Sequence, residues 1–171
     1  VNIINGVFRK LDRGAGPRGT FVANPAGEIV FSTGVTADFK TEVYRKRGSD
    51  WDLLETIGQG QEGWVPWASG PRKDTYLTWD TRGGGTRGLD LYDLSTDTHK
   101  MLYRFGEVDL GRVYRDLNHQ VYAVRSDINY PAIHYLSSKH PLTAVHQNLQ
   151  KNYPDDTVTI TSATRDNSKV I

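Results

Sequence analysis

The sequence predicts an all-β protein assembled from one antiparallel unit used about three times over. Three observations predict it. Strands that follow a turn keep a fixed beat: Val30, Tyr76, Tyr122 and Val170 are spaced by 46, 46 and 48 residues. The strands before those turns keep nearly the same beat, with Phe21, Trp67, Val113 and Ile160 spaced by 46, 46 and 47. Composition suits short strands and tight turns, with 17 Gly, 9 Tyr and 4 Trp in 171 residues. Two strand positions marching together point to a structural repeat. A period of roughly 40 to 50 residues is that of a four-stranded β-propeller blade.

The elements can be read in order. In the first unit, about 19–57, strands at Gly19 to Asn24 and Glu28 to Val35 are joined by the turn Pro25-Ala26-Gly27. Thr41 to Arg47 and, after Gly48-Ser49-Asp50, Trp51 to Ile57 complete it. In the second, about 63–105, Trp64 to Ser69 leads through Gly70-Pro71-Arg72-Lys73 into Asp74 to Trp79. Gly83-Gly84-Gly85 turns the chain into Gly88 to Leu94, and Ser95-Thr96-Asp97-Thr98 into Lys100 to Phe105. The third unit, about 111–153, departs from this pattern. Gly111 to Asp116, Gln120 to Arg125 and Ala132 to Leu136 are strands, but Ser138 to Tyr153 predicts a helix where a fourth strand is due. Leu142, Val145 and Leu149 share one face at i, i+3 and i+7, Ser138 can cap the start, and Pro154 stops the end. Thr157 to Ser162 resumes strand alternation and, through Arg165-Asp166-Asn167-Ser168, opens a further unit over 157–171. The whole of 1–171 thus reads as part of a propeller with one helical insertion near 138–153.

Charge and composition exclude several classes. With 21 basic and 20 acidic residues the formal charge is +1, so no global field draws in nucleic acid or an anionic membrane. The absence of cysteine rules out disulfides, thiolate nucleophiles and zinc–thiolate centres, without deciding between cytoplasm and periplasm. No run reaches the roughly 20 apolar residues of a membrane span. Val1 to Asn5 shows no basic segment leading into an apolar one, so no signal peptide is expected. Both ends read as cut, the second within a strand at Val170-Ile171.

Three stretches carry a family resemblance: Asn5-Gly6-Val7-Phe8-Arg9-Lys10-Leu11-Asp12, Thr78 to Arg82 running on to Leu89-Asp90-Leu91-Tyr92-Asp93-Leu94, and Val158 to Asp166. They are similar to the N-terminal propeller of bacterial prolyl oligopeptidase family serine peptidases, the dipeptidyl aminopeptidase and acylaminoacyl-peptidase group. The resemblance implies a propeller, commonly seven-bladed, covering a C-terminal α/β-hydrolase domain with a Ser, Asp and His triad. Such a domain carries Gly-x-Ser-x-Gly. None of Ser32, Ser49, Ser69, Ser95, Ser126, Ser137, Ser138, Ser162 and Ser168 has that frame. No catalytic, cofactor-binding or metal residue is therefore expected within the chain. Its expected partners are the hydrolase domain of the same protein and a peptide substrate, with association through exposed sheet faces possible.

Other tempting features read as structural. Trp79-Asp80 is an isolated pair without the Gly-His of WD repeats, so a buried strand-end Trp is expected. Gly83 to Gly88 lacks the Gly-Lys-Ser/Thr ending and a following helix, and predicts a flexible hairpin turn rather than a phosphate cradle. Among His99, His119, His134, His140 and His146, only the last two can share a helix, at a spacing unsuited to paired metal ligands. Asp155-Asp156 follows Pro154 and predicts solvated acids, and no Glu-Glu pair suited to a substrate's free N-terminus stands out. Trp51, Trp64, Trp67, Trp79, Tyr44 and Tyr92 recur at equivalent places, which suits packing between units better than sugar stacking. Two functions stay open: a substrate-gating portion of a serine peptidase acting on short peptides, or a stand-alone propeller scaffold for protein or glycan.

Overall fold

A computed structural model describes Gly6 and residues 12–171. Apart from Gly6 and Asp12, the first stretch of the resemblance lies outside the described residues, as does Val1 to Asn5. The chain divides into two compact units, Val1–Gln61 and Glu62–Ile171. It is mostly β, with three antiparallel sheets and one helix.

The first unit holds the first sheet, β1 (Thr20–Ala23), β2 (Ile29–Val35), β3 (Thr41–Arg47) and β4 (Asp50–Ile57), each strand beside its sequence neighbour. In the second unit, β5 (Trp64–Ser69), β6 (Thr75–Asp80), β7 (Gly88–Asp93) and β8 (Thr98–Tyr103) form a second meander of the same order. The third sheet has three strands, β9 (Arg112–Arg115), β10 (Val121–Ser126) and β11 (Ala132–Tyr135), and is followed by α1 (Pro141–Asn152). It is not a four-stranded unit: the chain between Pro141 and Asn152 satisfies its backbone within a helix.

The beat in the sequence is a beat in burial. The second strand of each sheet has a neighbour on either side, and there Phe31, Leu77 and Ala123, at steps of 46, are all 0% exposed. So are Ser32, Thr78 and Val124, one residue on. The turns before those strands repeat too. Asn24 Oδ1 accepts the backbone N–H of Ala26 and Glu28, each at 3.0 Å. Two beats later Asp116 Oδ1 accepts those of Asn118 and Gln120, each at 2.9 Å. Short Asx side chains close such turns because their oxygen reaches amides two and four residues on. Gly70 holds the intermediate position, where an added Cβ would come 2.6 Å from Thr75 Oγ1. Thr75 does the work there instead, accepting from the Arg72 amide at 3.1 Å and donating to its carbonyl at 2.7 Å.

In the second unit one apolar core joins the second and third sheets, with Ala68, Leu77, Leu89, Leu110 and Val124 buried together. On the far face of the third sheet Tyr114, Tyr122 and Ala123 bury Leu142 of α1, with Ile160, Ala163 and Val170 around them. The helix starts later than Ser138 suggests. His140 is its N-cap, with Pro141 at the first helical position, where a missing N–H costs nothing. Its buried face is Leu142, Thr143 and His146, with Val145 and Leu149 half-buried. Thr157 to Ser162 forms no ladder strand. Pairing there is confined to a single bridge between Ala163 and Val170 and to hydrogen bonds joining Thr161 and Ser162 to Ile171. No helix among the described residues is long and apolar enough to cross a membrane.

Candidate functional site

A nucleophile with its base would be the first sign of catalysis, and the nearest approach is Ser69 Oγ at 3.4 Å from His119 Nδ1. Arg115 Nη1 donates to the same nitrogen at 3.3 Å. Burial lowers the His119 pKa, and the Arg115 charge lowers it further. A general base needs its acceptor nitrogen free for the nucleophile and a third group orienting the ring. Here the nitrogen is shared with a cation, and His119 sits at φ 64° in a turn, so the pair reads as a turn contact.

The glycine loop between β6 and β7 is a hairpin connection, but it is pinned rather than free. Arg104 donates to the Arg82 carbonyl at 2.8 Å and the Asp80 carbonyl at 2.9 Å. The Gly83 amide reaches Glu62 Oε2 at 2.7 Å, and Thr86 Oγ1 donates to the Phe105 carbonyl at 2.7 Å. In Trp79-Asp80 the roles are reversed from expectation. Asp80 is the buried member at 4% exposure, while Trp79 is half-buried, its ring tilted by 37° at 4.9 Å from Trp67 with the Arg87 guanidinium over it. Strand alternation puts Trp79 on the core face and Asp80 on the opposite one.

That opposite face carries a polar cluster that sequence reasoning missed. Asp80, Asp90 and His99 present ligand atoms within 4.8 Å of one another. His99 Nδ1 lies 2.5 Å from Asp90 Oδ2, and its ring stacks 4.6 Å from Tyr92 and stands edge-on to Trp64 at 4.8 Å. The regular register of the β7–β8 hairpin makes this possible: Tyr92 opposes His99 and Leu91 opposes Lys100, which puts His99 on the face of Asp90 and Tyr92 and Lys100 on the other.

One Asp90 oxygen, Oδ1, is buried without a hydrogen-bond partner, which favours a cation. The surrounding charge opposes one. Arg82 binds both Asp80 oxygens, with Nη2 at 2.6 Å from Oδ2, and Arg104 Nη2 is 3.8 Å from Oδ1. Burial raises the Asp80 pKa, but the Arg82 hydrogen bonds outweigh it and hold the carboxylate below its usual range. With both Asp80 oxygens held by arginine and Asp90 Oδ2 held by histidine, the donor set fits a cross-strand staple better than a metal.

A second cluster gathers around Asp116. Beyond the two amides on Oδ1, its Oδ2 accepts from Asn167 Nδ2 at 3.0 Å, Asn118 Nδ2 at 3.3 Å and His140 Nε2 at 3.3 Å. His140 Nδ1 in turn accepts the Leu142 amide at 3.2 Å, so the ring carries its proton on Nε2 and caps α1 with the other nitrogen. Burial raises the Asp116 pKa, and the hydrogen bonds from Asn167, Gln120 and Asn118 more than reverse that. One carboxylate thus ties the β9–β10 turn to the helix start and to the 163–170 turn. His146, fully buried, donates from Nε2 to the Val158 carbonyl at 2.9 Å and holds the next segment to the same helix. The aromatic rings are largely engaged in their own sheet, as with Trp64 and Tyr92 at 4.9 Å, or between the second and third sheets, as with Tyr103 and His134 at 4.3 Å. Asp155 and Asp156 are exposed after the helix.

The feature suited to a ligand is a cleft of about 560 Å³ between the second and third sheets. Leu77, Leu91 and Leu102 line it from one side and Val121 and Leu136 from the other, with Arg72, Lys100 and Gln120 at its rim. Its size lies within the range of small-molecule sites. Comparison with models of protein families, with curated proteins and with solved structures finds no match. The cleft was hidden in the sequence because its lining comes from five separated segments. The only local signal was the turn Gly70-Pro71-Arg72-Lys73, of which Pro71 and Arg72 line the cleft.

Proposed function

We propose that this chain is a non-catalytic part of a β-propeller that gates substrate entry to a serine peptidase of the prolyl oligopeptidase type. The observation that carries the propeller reading is the succession of up-and-down sheets on a 46-residue beat, with the same Asx turn at Asn24 and Asp116. The peptidase reading is supported by the phrases from Thr78 to Leu94 and from Val158 to Asp166. A ring of blades over a hydrolase admits only short or unfolded peptides, and cleavage comes from the serine of the companion domain. The nine serines of this chain lack the Gly-x-Ser-x-Gly frame, which agrees with a gating role.

The test is hydrolysis of aminoacyl- and peptidyl-nitroanilides by this chain and by the full protein encoded by its reading frame. The chain alone should be inactive, and the full protein should show activity blocked by a fluorophosphonate. A full protein without that activity, or an active chain, refutes the peptidase reading. The cationic-rimmed cleft favours a second reading, a propeller that serves as a binding scaffold, and that reading survives the first of these refutations.

A further inference from the structure

We infer that the cleft between the second and third sheets is a binding site for an aliphatic carboxylate, which it holds by its tail on leucine side chains and by its anionic end between Arg72 and Lys100. The inference stands whether or not the propeller belongs to a peptidase.

Four side chains of the lining, Leu91, Leu102, Val121 and Leu136, are only half-buried although they border the apolar core. They present apolar surface to the cleft instead of closing on one another, which leaves a cavity of about 560 Å³. An apolar lining of that size excludes a strongly hydrated ligand from its floor. The rim selects charge. Arg72 and Lys100 both line the cleft, and Gln120 is the only other polar side chain there. Neither cation forms an ion pair with a carboxylate among the described residues, whereas Arg82 and Arg125 both do. Arg72 acts on Asp93 through its charge, which helps to lower that carboxylate's pKa.

Lys100 reaches this rim because of its register in the β7–β8 hairpin. It pairs with Leu91, and residues directly opposite share a face, so its stem runs over the aliphatic lining while its ammonium stays in water. The hairpin register therefore builds two things at once, the His99–Asp90 pair on one face and a cation over an apolar cleft on the other. Two unpaired cations over a leucine floor match a ligand with a short anionic head and an aliphatic body. A neutral alcohol of the same length matches only the floor, and an alkylammonium is repelled at the rim.

The test is calorimetric titration of the 171-residue chain with hexanoate, octanoate, octan-1-ol and octylammonium at low ionic strength. Octanoate should bind tighter than hexanoate by roughly tenfold, given about three- to fourfold per buried methylene. It should bind tighter than octan-1-ol by about three- to tenfold, an advantage that shrinks as salt is added. The double variant R72Q/K100Q should lose that advantage and leave octan-1-ol affinity unchanged. Both side chains are exposed, so the far-ultraviolet spectrum and melting temperature should be retained. L136W should fill the cleft and weaken all four ligands, and L91A serves if that variant fails to fold, lowering affinity for the octyl chain. Absence of saturable octanoate binding, equal binding of the alcohol and the carboxylate, or an unchanged advantage in R72Q/K100Q each overturns the inference.

Discussion

Asn24 and Asp116 perform one backbone task in two settings. Each closes the turn between the first and second strands of its sheet by accepting amides two and four residues on. The rest of the side chain differs. Asn24 turns its amide outward to Glu28 Oε2 at 2.8 Å, in solvent. Asp116 is buried, and its second oxygen gathers Asn118, Asn167 and His140. An amide suffices where only the turn must be closed. A carboxylate is needed where several donors converge, because it alone offers acceptors on both atoms. The repeat therefore sets the turn, and the insertion of α1 and the 157–171 segment sets the charge.

Alanine at the two positions should separate the roles. D116A strips acceptors from two turn amides and three side-chain donors in a buried place, and should cost about 4 kcal/mol in urea unfolding. N24A loses only an exposed turn closure and should cost about 1 kcal/mol. Equal costs would show that the second oxygen of Asp116 contributes nothing. D116N should fall between, since it keeps the turn but points an amide N–H₂ at donors.

The staple at Asp90 gives the next largest effect. H99L leaves a buried carboxylate without its partner and should cost about 3 kcal/mol, whereas D90L/H99L should cost less than the single change. A double variant worse than H99L would mean that the pair is a net source of stability and not a satisfied polar contact.

Acid should reach the second unit through its carboxylates. Asp80 and Asp116 both titrate below the ordinary aspartate value of 3.8 in the folded chain. A depressed folded pKa adds stability that is complete above the unfolded value and is lost as pH falls through the folded one. The urea midpoint should therefore stay level from pH 7 to about pH 4 and fall below it. D116N should flatten that fall. Loss of stability between pH 7 and 5 would point to a different group.

How much of this was legible follows from range. The period, the strand limits near Thr41–Arg47 and Trp64–Ser69, and the helix within 138–153 depend on local alternation and spacing, which a sequence displays. The Asp90–His99 pair depends on the cross-strand register of β7 and β8, and no residue type announces it. Asp116 meets Asn167 across 51 positions because the 163–170 turn returns to the third sheet. The expected cap at Ser138 failed for a similar reason. Serine is the better local cap, but only His140 can accept from the helix with one nitrogen while giving the other to Asp116.

That dual role leads to the smallest effect and the finest division of the comparison. H140N keeps a good N-cap, since an Asn oxygen accepts the same amide, but its shorter side chain falls short of Asp116 Oδ2. H140A loses both. If the cap is the main contribution of His140, H140N should lie close to wild type and H140A about 1 kcal/mol below it. If the tie to Asp116 dominates, the two variants should be equally destabilised. The second outcome should vanish in a D116A background, where no acceptor remains for either ring or amide to lose. The turn at Asn24 has no helix to anchor, so no residue there can show this coupling. A double cycle between positions 116 and 140 thus measures what the inserted helix added to a turn that the repeat already supplied.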